Sequence, residues 1–203
     1  MAVPLPGKDE IFITPAGIRK RYGNFDPNTF KYWQDRDLVR KLRNGLYLNN
    51  AFEVRGKADQ FMIANELYAP SYVSLHSALH YYGLIPEFPY EVTSVATRKT
   101  TRLEDGNKRY SYRTLKAELY FGFENVPWRG HHYSIAYPEK AVLDLAYLEP
   151  QFSDPAWVEE MRFDRSGILE DLDWDRMMLF AHIMDSEVVR QRIAILLDVL
   201  ADD

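Results

Sequence analysis

Basic and amide side chains concentrate in one short stretch of a chain that is otherwise acidic. Residues 19–48 hold eight Lys or Arg against three Asp, whereas the 203-residue chain has a formal net charge of −5. Cations neutralise phosphates and release their counterions, while amide and phenol groups hydrogen-bond to bases or to the backbone of nucleic acids. The stretch therefore has the chemistry of a nucleic-acid contact. Its candidate contact residues are Arg19, Lys20, Asn28, Lys31, Tyr32, Arg40, Lys41, Arg43 and Asn44.

Two short helices must position these side chains. Thr14 and Pro15 are typical of a helix start, because the hydroxyl accepts a free backbone N–H and proline lacks one. Gly23 is a natural stop for this first helix. Asp26 and Pro27 repeat the start signal. The pattern predicts a helix, a tight turn and a second helix.

The second helix is amphipathic. Phe30 and Trp33 lie three residues apart and can face inward together with Leu38. The opposite face then carries four polar side chains, and this outward face is the one we expect to reach base edges. These four are Asn28, Lys31, Tyr32 and Asp35.

A hairpin is predicted directly after the helices. Two β-prone runs within residues 38–48 flank Asn44-Gly45, a dipeptide that tolerates the positive φ angles of a tight turn. We expect Arg40, Lys41 and Arg43 at its tip. Two helices followed by a basic hairpin predict a winged helix-turn-helix domain over residues 8–51 that binds double-stranded DNA. The alternative is that these charges are the solvated faces of a small helical subdomain.

Composition limits the remaining possibilities. The chain is 46% hydrophobic and 14% aromatic, which is enough for a packed core, and it contains no cysteine. Disulfides, thiol nucleophiles, iron–sulfur clusters and cysteine-based zinc sites are therefore excluded. No apolar run reaches membrane-spanning length and the N-terminus lacks signal-peptide features, so a cytoplasmic location is predicted. No cofactor and no membrane partner are expected.

Charge is also divided along the chain. Residues 19–43 carry +5 and residues 139–203 carry −10. An acidic surface repels phosphates over about one Debye length, roughly 8–10 Å. We therefore expect only the basic N-terminal region to meet nucleic acid.

Residues 52–203 predict a second, α+β domain. Helices are expected at 57–68 and 71–82, and strands at 91–97, 109–115, 120–123 and 133–136, which together suggest an antiparallel sheet. Helices then follow at 139–148, 155–161, 174–184 and 186–200. The predicted fold class is α+β, with a winged helix before a mixed domain that ends in helices.

Several segments resemble one known family. Residues 72–79, 82–87 and 92–95, followed by residues 137–145, resemble the AbiEi-like antitoxins of type IV toxin–antitoxin systems. In that family the wing typically ends in an Arg-x-Gly-x-Tyr pattern, similar to Arg43, Gly45 and Tyr47 here. Each motif alone is short, whereas their order and spacing together are more specific.

The resemblance implies a bacterial antitoxin that represses its own operon by binding promoter repeats. It also implies that the protein counteracts a nucleotidyltransferase-like toxin, without forming a stable complex with it. The resemblance covers roughly residues 10–150, so the role of the acidic C-terminal helices stays open. Binding of repeated half-sites is compatible with a monomer or a weak dimer.

Enzyme chemistry is not predicted. Glu139 and Lys140 are adjacent, whereas a metal-dependent nuclease commonly places its acid and lysine two apart on a strand. His76 and His80 lie one helical turn apart, but no third metal ligand follows at a suitable spacing. A scaffold role is expected for most motif residues, with Glu139-Lys140 near Asp144 able to form salt bridges at helical spacing for roughly 0.2–0.5 kcal/mol.

Three hypotheses therefore stand. The first is an antitoxin and autorepressor, and the second is a winged-helix regulator with an unrelated effector domain. The third is a nucleic-acid-processing enzyme that uses the wing for targeting.

Overall fold

The computed structural model describes residues 7, 10–26, 28–106 and 108–202, and the chain is an α+β protein. It divides into two compact units. The first comprises residues up to Gly56 together with Glu104–Asn107, and the second comprises Lys57–Leu103 and Lys108–Asp203. The division thus lies after Gly56, a few residues beyond the predicted boundary at 51. The predicted domain start at Lys8 lies outside the described residues.

The first unit contains a small antiparallel sheet and two helices. In chain order its elements are β1 (Phe12–Ile13), α1 (Pro15–Tyr22), α2 (Thr29–Asp35), β2 (Val39–Arg43) and β3 (Leu46–Asn49). The strand order is β1-β3-β2, and both pairs are antiparallel. Both helices therefore connect the first strand to the β2–β3 hairpin.

Local capping explains where these helices begin and end. The Thr14 hydroxyl accepts the Gly17 N–H at 3.0 Å, and Gly23 ends α1 with a φ of +77°, as predicted. The N-cap of α2 is Asn28 and not the predicted Asp26, whose carboxylate accepts the Asn28 N–H at 2.8 Å in the turn before the helix. Pro27, the other half of the predicted start signal, lies outside the described residues.

The core of the first unit joins both helices to the sheet. Phe30 and Trp33 of α2 are buried and contact each other edge to face at 5.4 Å between ring centroids. Phe30 also stacks on Tyr47 of β3 at 4.3 Å. Leu38 packs against the same cluster, so the predicted inward face of α2 is confirmed.

The second unit begins with α3 and contains a larger sheet. Its strands are β4 (Ser71–Val73), β5 (Glu91–Ala96), β6 (Thr101–Asp105), β7 (Lys108–Thr114), β8 (Phe123–Trp128) and β9 (His131–Ala136). The last two residues of β6, Glu104 and Asp105, belong to the first unit. Its helices are α3 (Lys57–Leu67), α4 (Leu75–Tyr81), α5 (Pro138–Leu148), α6 (Pro155–Glu160), α7 (Trp174–Met184) and α8 (Glu187–Asp202). The four C-terminal helices match their predicted positions to within two residues. No helix among the described residues is both long and apolar enough to cross a membrane.

The larger sheet is mixed, so the prediction of an antiparallel sheet was wrong. Its order is β6-β7-β5-β4-β9-β8, with β5 parallel to β7 and β4 parallel to β9. Strand β6 was not predicted; it follows β5 in the chain and takes the edge position beyond β7. Because the chain passes through β6 at the edge before it returns as β7, β7 lies beside β5 and runs parallel to it.

Two strand assignments also differ from the predictions. Residues 71–73 were expected to begin a helix, but they form β4, because Tyr72 and Val73 are fully buried between β5 and β9. Tertiary pairing there overrides the helical periodicity of the following residues. Residues 120–122, predicted as strand, precede β8, which begins at Phe123.

Helices cover both faces of the larger sheet. The Tyr112 hydroxyl donates to the Ala64 carbonyl of α3 at 2.7 Å, and the next residue, Arg113, donates to the Leu148 carbonyl of α5 at 2.7 Å. Successive strand residues point to opposite faces. Helix α3 therefore covers one face, and α5 the other.

Candidate nucleic-acid interface

The outward face of α2 carries polar side chains, as predicted. Asn28, Lys31, Tyr32 and Asp35 are all exposed, because burial of Phe30 and Trp33 turns these positions to solvent. Asn28 is partly engaged, since its side-chain amide donates to the Asp26 carboxylate at 3.1 Å. The face presents hydrogen-bonding groups and one lysine to solvent.

Arg36, which was not predicted as a contact residue, extends this face. Its guanidinium lies 3.9 Å from the centroid of the Tyr32 ring, a cation–π contact. The i, i+4 spacing of Tyr32 and Arg36 was the available signal. The pair forms a planar, cationic platform on the exposed side of α2.

Helix α1 adds further cations, which differ in how they are engaged by neighbouring groups. Arg19 and Lys20 are exposed, and the Arg19 guanidinium lies 5.7 Å from the Phe25 ring centroid. Arg21 pairs with Glu10 at 3.2 Å. Hydrogen bonding to Tyr22, and then the charge of Glu10, raise the pKa of Arg21 above its ordinary value.

The β2–β3 hairpin places two cations and an amide at or near its turn. Asn44 and Gly45 form the turn, and Gly45 has the positive φ of +77° that the Asn-Gly pattern predicted. Lys41, Arg43 and Asn44 are exposed, and a register irregularity lies between Lys41 and Arg43. Arg43 Nη1 donates to the Asn44 carbonyl at 3.4 Å. The hairpin end is thus basic and solvent-facing.

Arg40 does not lie at the hairpin tip, and this part of the prediction was wrong. Its Nε and Nη2 donate to the two carboxylate oxygens of Asp105 at 2.7 and 3.0 Å. The Asp105 side chain is only 3% exposed, so its buried charge requires this bidentate partner. Arg40 is therefore occupied as a structural ion-pair partner.

No protein-family model matches the chain, and no curated protein does.

The second unit brings together residues from two separate sequence motifs. Asp144 of α5 accepts hydrogen bonds from the Tyr72 hydroxyl at 3.0 Å, from the Ser74 hydroxyl at 2.8 Å and from the Lys140 ammonium. Lys140 Nζ also donates to the Tyr72 oxygen at 2.9 Å. We call these four residues the buried network. They join β4 and the turn after it to α5.

The buried network is inaccessible to solvent. The side chains of Lys140 and Asp144 are both 0% exposed. Burial, and then the neighbouring Asp144 charge, hold the pKa of Tyr72 well above its ordinary value, so the phenol stays protonated and donates. The predicted i, i+4 pairing of Lys140 with Asp144 is confirmed. The roughly 0.2–0.5 kcal/mol expected for an exposed pair does not apply, because both side chains are buried from solvent.

Glu139, the neighbour of Lys140, is buried and has partners outside the buried network. Its carboxylate accepts the Asp173 N–H at 2.9 Å and lies 3.5 Å from the Arg176 guanidinium, which fixes the start of α7. Among the described residues, no three His, Asp or Glu side chains are grouped as a metal site would require. His80 lies 3.4 Å from the Ile85 carbonyl.

An open pocket of about 660 Å³ lies within the second unit. Two loose ion pairs line it: Arg102 with Glu91, and Arg113 with Glu149, each at 3.7 Å. That distance exceeds normal hydrogen-bond length, so these groups keep capacity for a ligand. Burial lowers the pKa of His76, another lining residue, which therefore stays neutral near pH 7.

A strained turn lies beside this pocket. Leu75 has a φ of +56°, which bulky residues adopt only under constraint from their surroundings. Thr93 supplies that constraint: its hydroxyl donates to the Ser74 carbonyl at 2.7 Å and accepts the Ser77 N–H at 2.9 Å. The turn fixes where α4 begins and hence where His76 enters the pocket wall.

Proposed function

We propose that the first unit is a winged-helix domain that binds double-stranded DNA. The observation that carries this proposal is the coincidence of topology and charge. Two helices lie between β1 and a β2–β3 hairpin, and the strand order is β1-β3-β2, which supports the winged-helix assignment. In such domains the second helix enters the major groove and the hairpin contacts the adjacent backbone.

The exposed side chains fit these two roles. Asn28, Tyr32 and Arg36 on α2 supply donors, acceptors and a planar cation for base edges and phosphates. Lys41 and Arg43 on the hairpin supply phosphate contacts. Arg40 takes no part, since it is bound to Asp105.

We further propose that the whole chain is an AbiEi-like antitoxin that represses its own promoter and counteracts a nucleotidyltransferase-like toxin. The buried network supports this. Tyr72 and Ser74 come from one segment of the resemblance, and Lys140 and Asp144 come from another. Segments separated by more than sixty residues thus meet in one hydrogen-bonded core. If the sequence segments resembled the family only by chance, their contact in one buried network would have no explanation.

A gel shift on the DNA upstream of the gene tests the DNA-binding part. Each phosphate contact contributes about 0.9 to the slope of log K against log salt. Replacing Lys31, Lys41 and Arg43 by alanine should therefore flatten that slope by up to about 2.7. A control variant has Lys99, Lys116 and Arg165 replaced by alanine. It loses the same number of exposed positive charges, but from the second unit.

The two variants give opposite expected outcomes. The control should bind as wild type does, because its charges lie outside the proposed interface. Equal weakening of both variants would show that net charge alone drives binding, and would refute the interface.

Growth rescue tests the antitoxin part. The full chain is co-expressed with its genomic neighbour, and the interface variant with Lys31, Lys41 and Arg43 replaced is compared with wild type. We expect rescue by both proteins, with promoter repression lost only in the variant. Absence of rescue by folded wild-type protein would refute the antitoxin assignment.

The open pocket favours a second candidate, a regulator whose second unit senses a small molecule. Its volume lies within the range of about 300–1,000 Å³ that is usual for ligand sites. Native mass spectrometry of the purified protein would detect a retained ligand. Loss of that ligand in an Arg113→Ala variant would support this candidate over the antitoxin.

A further inference from the structure

A stiff loop in the second unit presents two aromatic rings to solvent. The loop joins α4 to β5 and contains Phe88, which is 60% exposed, and Tyr90, which is 99% exposed. Pro86 and Pro89 flank Phe88 and restrict the backbone on both sides. The backbone that carries the rings is therefore restricted, which lowers the entropic cost of ordering it when a ligand binds.

Basic and aromatic side chains lie around Phe88. Lys57 Nζ lies 5.4 Å from the Phe88 ring centroid, and the His80 ring meets Phe88 edge to face at 5.3 Å. Lys108 and Arg109 line a small recess beneath the rings. Two acids lie nearby: Glu91, which lines the same recess, is 3.7 Å from Arg102, and Glu87 is 3.3 Å from Arg162. The three basic side chains Lys57, Lys108 and Arg109 outnumber them.

The recess beneath the rings is shallow. Its volume is about 30 Å³, which is far below the roughly 300–1,000 Å³ usual for ligand sites. A ligand therefore lies across the rings and does not enter a cavity. Flat groups that stack on aromatic faces, joined by regularly spaced anions, match this surface.

We propose that Phe88 and Tyr90, together with Lys57 and Lys108, form a binding surface for single-stranded nucleic acid. Bases stack on the two rings, and the two lysines contact the connecting phosphates. Every base has a π-face, so the surface is tolerant of sequence. It is distinct from the duplex interface proposed for α2 and the β2–β3 hairpin, because it lies wholly in the second unit.

Fluorescence anisotropy with a short, labelled oligouridylate tests the proposal on the full chain. Combined replacement of Phe88 and Tyr90 by alanine should weaken binding by at least about tenfold, since each stacked base contributes strongly. Tyr90→Phe should retain binding. Replacing Lys57 and Lys108 by alanine should flatten the salt dependence by about 1.4 in log–log slope, or about 0.7 per phosphate contact.

Two controls separate this surface from other binding sites on the chain. Met178→Ala with Leu179→Ala removes two other exposed apolar side chains, 65% and 55% exposed, and should leave oligouridylate binding unchanged. Promoter-duplex binding should persist in the variant lacking Phe88 and Tyr90. If the wild-type protein does not bind the promoter duplex, the proposed duplex interface is refuted, whereas the proposal for the surface at Phe88 and Tyr90 is unaffected.

Three results would overturn the proposal. The first is no oligouridylate binding by wild type, which would leave the rings to a protein partner. The second is unchanged binding without Phe88 and Tyr90. The third is loss of oligouridylate binding in the variant lacking Lys31, Lys41 and Arg43, because the first unit would then be the binding site.

Discussion

Removal of one charge from the buried network should destabilise the protein far more than loss of an exposed pair does. Asp144→Ala leaves the Lys140 ammonium fully buried, with the Tyr72 hydroxyl as its remaining hydrogen-bond partner among the described residues. Breaking a buried ion pair in this way costs about 3–5 kcal/mol. For a chain of this size each kcal/mol shifts Tm by about 2–4 °C, so Tm should fall by about 6–20 °C.

The chain contains a matched control for this prediction. Arg190 and Glu187 of α8 also pair across one helical turn, but their side chains are 49% and 66% exposed. Arg190→Ala should therefore cost at most about 0.5 kcal/mol. Scanning calorimetry and urea unfolding of both variants provide the comparison.

A double-mutant cycle tests whether Lys140 and Asp144 act as a pair. Lys140→Met with Asp144→Leu removes both charges while keeping side-chain volume, so the double variant should be less destabilised than the sum of the single variants. The expected coupling is about 0.5–3 kcal/mol. Additive single effects, or a loss for Asp144→Ala as small as that of Arg190→Ala, would refute the reasoning.

Three further predictions concern single side chains. Arg40→Ala should leave the salt dependence of DNA binding unchanged but lower the unfolding free energy by about 1–3 kcal/mol, because buried Asp105 loses its partner; urea titration with the gel shift separates these effects. His76 has a folded pKa below its ordinary value of 6.5, so the unfolded chain binds the extra proton and stability falls as pH drops below about 6.5; His76→Gln should remove that loss in Tm measured against pH. Trp33→Ala should cost about 3–5 kcal/mol, unfold the first unit and abolish the gel shift, whereas retained duplex binding would contradict the described core.

Local signals made the first unit largely predictable. Caps, turns and helical periodicity act within four or five residues, so Thr14, Gly23 and Gly45 could be assigned from the sequence alone. The inward face of α2 followed from the spacing of Phe30 and Trp33. These features need no knowledge of distant contacts.

Strand pairing in the second unit was less predictable for the opposite reason. Whether residues 71–73 form a strand depends on β5 and β9, which lie far along the chain. The parallel pairing of β5 with β7 depends likewise on β6 taking an edge position. Such pairings are decided by tertiary packing, which short-range propensity does not encode.

The sequence by itself determined where the cations lie along the chain and that Lys140 and Asp144 share a helical face. Tertiary structure alone decided what those charges do. Arg40 turned from a predicted phosphate contact into the partner of Asp105, and the Lys140–Asp144 pair became part of a solvent-free network. The physical reason is that charge and spacing are local properties, whereas burial depends on which distant segments cover a side chain.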